Sequence, residues 1–123
     1  VSNFNLTEKK ELLINWYKHL ANKFISRKAN ELAEKNDYRY ERLFIRDQKT
    51  KWGTCSSRKN ISFNWRLIMC PEYVIEYLII HELTHLKEMN HSRKFWEEVE
   101  KVIPDYKNAK SWLTDYESYI FRI

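Results

Sequence analysis

The run YVIEYLII, residues 73–80, is apolar on nearly every side of a helix. A helix without a polar face belongs at the centre of a fold, with the other elements wrapped round it. This one leads straight into HELTHLKEMNH, residues 81–91, which holds three of the chain's four histidines. Burying His81, Glu82 and His85 there without partners would cost on the order of several kcal/mol in lost hydration. A bound cation would relieve that cost.

Breakers are scarce: one glycine, Gly53, and two prolines, Pro71 and Pro104, in 123 residues. Helices should therefore dominate. Leu13, Trp16, Tyr17, Leu20 and Phe24 recur at helical spacing and predict a helix over 7–34, capped by Thr7 with Glu8 in its first turn. Asn36-Asp37 ends it. YRYERLFIR (38–46) and ISFNWRL (61–67) carry strand-forming residues, separated by the turn-rich DQKTKWGTCSSRKN. Pro71 suits the first position of the central helix, which should run to residue 89 with Asn90 as a left-handed stop. Ser92 caps a third helix through FWEEVEKV that stops before Pro104, and a fourth spans 108–119. The expectation is α+β: a central helix with an N-terminal helix, a small sheet and C-terminal helices, in one domain over 1–123.

On a helix, His81 and His85 share a face one turn apart, about 6 Å along the axis. Both rings can then reach one ion at ~2.0–2.1 Å. Glu82 sits beside that face, placed to act on water as a general base rather than to ligate. His91, six residues past His85, can return as a third ligand if the chain turns. Three protein nitrogens with one open position describe a catalytic zinc centre, and imidazoles favour Zn²⁺ over Mg²⁺ or Ca²⁺. The reaction class is metal-assisted hydrolysis. Tyr106, Tyr116, Tyr119 and Asn64 are candidates for stabilising an oxyanion. His19, on the first helix, reads as a surface residue.

The segments RDQKTKWGTCSSRKNISFNWRL, CPEYVIEYLIIHELTHLKEMNHSRKFWEEV and IPDYKNAKSWL resemble the YgjP-like metallopeptidase-domain proteins, zincin-fold proteins related to the SprT and WLM peptidases. The resemblance runs from about residue 7 to residue 114. It implies zinc ligands His81, His85 and His91, with Glu82 as general base. It also implies that ISFNWRL lies beside the cleft where an extended peptide or protein substrate aligns, with Asn64 as a substrate-binding residue. Trp52, Gly53, Phe95 and Trp96 become framework around the metal helix. The histidine spacing equals that of metzincins, but Glu88 stands where those carry glycine and no Met-turn follows.

Cys55 and Cys70 are too few for a disulfide scaffold, form no CxxC pair, and read as buried thiols. No apolar run reaches the ~20 residues of a membrane span, and no secretory signal opens the sequence, so a cytoplasmic location is expected. The net charge of +5 is spread through mixed stretches such as RKANELAEK and reads as a solvated surface. Two alternatives keep the zinc. One is hydrolysis of a nucleotide phosphoanhydride, for which no glycine-rich phosphate loop is present. The other is a DNA-associated module in which Lys, Arg, Trp52 and Trp65 contact nucleic acid.

Overall fold

The computed structural model describes residues 5–123. Three helices and a three-stranded sheet surround the expected central helix, α2; in chain order the elements are α1 (Leu6–Lys35), β1 (Arg42–Arg46), β2 (Gly53–Cys55), β3 (Asn60–Asn64), a 3₁₀ turn (Trp65–Met69), α2 (Glu72–Thr84), α3 (Arg93–Val102) and α4 (Tyr106–Phe121). The α+β architecture is as anticipated. No described helix is long and apolar enough to cross a membrane.

The cap of α1 lies two residues before the expected one. Asn5, not Thr7, accepts from the Glu8 amide at 2.8 Å while Glu8 accepts from the Asn5 amide at 3.1 Å. This reciprocal box satisfies two orphan donors at once, which a lone Thr7 would not. Asp37 ends the helix in a left-handed conformation (φ 57°). Ala21, Ile25, Ala29 and Ala33 bury a narrow seam at every fourth position. Three alanines there let α1 lie close to the elements beneath it.

The sheet order is β1-β3-β2, with β1 parallel and β2 antiparallel to β3. Alternation turns Leu43, Ile45, Ile61 and Phe63 toward the helices. Three expectations are corrected here. The strand over 38–46 begins only at Arg42. The strand over 61–67 ends at Asn64, whose side chain accepts from the Arg66 amide and caps a 3₁₀ turn instead. Between them the segment read as turns contains β2, too short to register as an alternating pattern. Buried residues from Ala21 to Ile120 form one hydrophobic cluster, with Val74, Ile79, Ile80 and Leu83 of α2 fully enclosed in it.

Helix α2 stops at Thr84, five residues before the expected end at residue 89, and Asn90 adopts no left-handed conformation. The amides of His85, Leu86 and Lys87 bond three residues back, to Glu82, Leu83 and Thr84, winding the chain into tight turns. The early stop has a geometric reason. A helix continued to 89 would move ~6 Å past His85 and leave two residues to return. Ending at Thr84 leaves enough chain for His91 to fold back, one residue before Ser92 caps α3.

Candidate metal centre

His81 lies in the last turn of α2, His85 at its C-cap, and His91 in the turn before α3. One ring nitrogen from each lies within 4.8 Å of the other two. The Nε2 atoms of His81 and His91 are 3.2 Å apart. Two such nitrogens must share either a proton or a cation. Ligands held tetrahedrally at ~2.0–2.1 Å stand about 3.3 Å from each other, so the spacing of this one pair fits a metal of zinc's size.

The outer nitrogens of two rings are fixed from behind. His85 Nδ1 lies 3.1 Å from the Glu88 carbonyl oxygen, which only accepts. The proton is therefore on Nδ1, leaving Nε2 with a lone pair for the cluster. His81 Nδ1 lies 3.3 Å from the Tyr77 hydroxyl one turn earlier. Neither partner was evident in the sequence, although Tyr77 has the i−4 spacing that could have pointed to it. Phe95, fully buried on α3, forms the floor: its ring centre is 5.0, 4.6 and 4.8 Å from those of His81, His85 and His91. Trp96 packs beside His81 and His91 and stacks on Tyr106.

Electrostatics favour neutral imidazoles. Burial, then the neighbouring histidines and Lys110, pushes His81 down to about 3. Burial is also the main cause of a lowered His85. Both rings therefore offer lone pairs at neutral pH without first losing a proton. Glu82, only 8% exposed, is pushed up to about 7 by burial alone. It opens onto a cleft of about 290 Å³ lined by Trp52, Gly53, Tyr77, His81 and Leu113.

Gly53 is present for space, since its backbone is not left-handed. An added Cβ would meet the Ser62 carbonyl oxygen at 2.7 Å and Glu82 Cγ at 2.9 Å. The nearby Cys55 thiol is half-buried and raised to about 11, first by burial and then by Glu82. It is not a reactive thiolate.

A model of the YgjP-like metallopeptidase domain matches residues 1–116. The chain belongs to that family. Its fold is similar to the crystal structure of the metallopeptidase zymogen abylysin from Pyrococcus abyssi, with a TM-score of 0.66 and 27% identity over 76% of this chain and 96% of the other. It is also similar to the zymogen of jannalysin from Methanocaldococcus jannaschii, with a TM-score of 0.65 and 22% identity over 74% and 94% of the two chains. No curated protein matches. This YgjP-like chain is thus a metallopeptidase-type hydrolase, a domain built to use a metal ion.

Several expected site residues lie elsewhere. Asn64 is corrected from substrate contact to framework. It is fully buried, and its amide nitrogen donates to the carbonyls of Gln48 and Lys51. Trp65, 2% exposed, cannot stack on a nucleic acid, and Trp52 donates to Glu117 at 2.9 Å while packing on Phe121. Tyr116 and Tyr119 are exposed on α4, whereas Tyr106 is buried between Trp96 and Tyr77. His19 is exposed, as read.

Proposed function

We propose that residues 1–123 act as one zinc-dependent peptidase domain in which His81, His85 and His91 hold the metal and Glu82 is the general base. The observation that carries this reading is the convergence of three ring nitrogens beside a buried carboxylate at the head of a cleft. When bound, zinc supplies Lewis acidity, acidifying water and polarising a carbonyl. The rest of the chemistry belongs to the chain. Glu82 takes a proton from the attacking water and delivers it to the leaving amine nitrogen, a task suited to a carboxyl group whose pKa burial has brought near neutrality. Phe95 packs against all three imidazoles, and Trp96 against those of His81 and His91.

The substrate is a peptide in extended form, lying along β2. Strand β3, expected to face it, has both edges occupied by β1 and β2. Among the described residues strand β2 has only one edge paired, and Gly53 on it lies against Glu82. Main-chain hydrogen bonds along a sheet edge hold a peptide without demanding particular side chains.

The test combines metal analysis with peptide turnover. Purified protein should carry one zinc per chain, lose it with any one histidine replaced by alanine, and cleave peptides only when loaded. Glu82→Gln should retain zinc and lose turnover. Zinc-free protein that still cleaves peptides would overturn the assignment.

A further inference from the structure

The net positive charge, expected from the mixed stretches to be spread over the surface, is instead concentrated in one segment. Residues 39–60 contain seven of the 22 Lys and Arg but only two of the 17 Asp and Glu, a net +5 equal to that of the entire chain. Acids and bases elsewhere cancel. All seven cations are exposed, and among the described residues none forms an ion pair. Of the two acids, Asp47 is already held by Arg66 at 2.8 Å and Lys18 at 3.1 Å, leaving Glu41; Asp37 lies just before the segment.

The fold places Arg42 and Arg46 of this segment on the outer face of the sheet, whereas Lys51 borders the Glu82 cleft and Arg39 and Lys59 border a separate hollow with Leu86 and Lys87. Arg42, Phe44 and Arg46 alternate outward on β1. Because β1 and β3 run parallel, Arg42 lies near the Arg58–Lys59 turn at one end, and Arg46 leads to Lys49 at the other. Between the two ends lies a hollow of about 320 Å³ whose polar floor includes Thr54 and Ser62, their hydroxyls 2.6 Å apart. Phe44, 37% exposed, borders it with the Arg46 guanidinium 4.8 Å above its ring. This face is turned away from Glu82, which meets the sheet's inner side at Gly53.

Exposed cations at both ends match a chain of phosphates, and releasing the counterions of those phosphates supplies affinity. An exposed aromatic beside a guanidinium plane, among hydroxyl and amide groups, suits an unpaired base. A bilayer would require several protruding apolar groups, and this face offers Phe44 alone. We infer that the outer face of the sheet binds single-stranded nucleic acid. This does not depend on the peptidase reading.

Fluorescence anisotropy of a labelled oligothymidylate, titrated with the full chain, tests it. Affinity should fall roughly tenfold or more between about 50 and 200 mM salt. Arg42→Glu with Arg46→Glu should weaken binding by at least roughly tenfold while thermal melting is unchanged, and Arg58→Glu alone should weaken it to a smaller extent. Phe44→Ala should reduce affinity for the single strand and not for a duplex of equal length. Three results would each overturn the inference: no binding at low salt, binding indifferent to Arg58→Glu and the double variant, or equal affinity for vesicles of anionic lipid. Tighter binding of duplex than of single strand would refute the single-strand assignment.

Discussion

Gly53 and Glu82 face each other so closely that a methyl group on the glycine would stand 2.9 Å from the glutamate's Cγ. The opposite side of that methyl is blocked by the Ser62 carbonyl, a backbone atom that cannot move aside. The glutamate must therefore give way. Gly53→Ala should destabilise the protein by about 1–3 kcal/mol through overpacking. It should also depress peptide turnover with little change in zinc stoichiometry, because the histidines are not displaced. Parallel thermal melts, metal analysis and kinetics check this; full turnover in Gly53→Ala would remove the steric argument.

Tyr77 orients His81 through a single 3.3 Å contact. Replacing it with phenylalanine keeps the ring in the core and deletes only the oxygen. Loss of such a supporting partner lowers metal affinity by roughly 10–100-fold. A competition titration with a zinc-binding dye would measure it, and affinity equal to that of the parent would show that the hydroxyl does not hold the imidazole.

In metal-free protein, Glu82 has an ordinary pKa of 4.5 when unfolded and about 7 when folded. The folded state binds more protons in that interval, so this group's contribution to stability falls as pH rises from 4.5 through 7. The loss is on the order of 3 kcal/mol above pH 7. His81 acts in the opposite sense. Its folded value of about 3 lies below the unfolded 6.5, so stability is lost as pH falls through that window. Glu82→Gln removes only the first effect. Metal-free Glu82→Gln should melt several degrees above the parent at pH 8 and close to it at pH 4; equal melting at both would contradict the burial of the carboxylate.

Arg66 is 1% exposed and pairs with Asp47 at 2.8 Å, which holds the Asp47 carboxyl well below the usual range. Asp47→Asn should cost about 2 kcal/mol, less than for a wholly enclosed pair because Asp47 is half-exposed. With the folded pKa depressed, the pair stabilises above the ordinary carboxylate value of 3.8 and is lost as pH falls below it. Urea titrations at pH 7 and pH 3 should show a clear difference between parent and variant at the first and a reduced one at the second, since the folded carboxyl is still ionised there.

The legible features were those written in strong local patterns. The all-round apolarity of 73–80 announced a central helix, and the spacing of His81, His85 and His91 announced a common target. Ser92 marked the start of α3 because a cap works within a few residues of itself. The rest depended on contacts distant in sequence. Asn64 looked like a cleft residue on an alternating strand, yet two loop carbonyls, from Gln48 and Lys51, hold it inside. The end of α2 was misplaced because LKEMN has good helix formers. The turns that carry His91 back to His81 outweigh that local preference. Strand β2 is three residues long, and only its partner β3 makes it a strand.

The turns from His85 to His91 belong to no helix, and His91 is itself exposed. An ion gripping His81 and His91 would therefore close an eleven-residue ring, tying the end of one helix to the start of the next much as a covalent cross-link does. Loading and unloading would need only the turns from His85 to His91 to unwind. The apolar centre could stay intact while the metal exchanges.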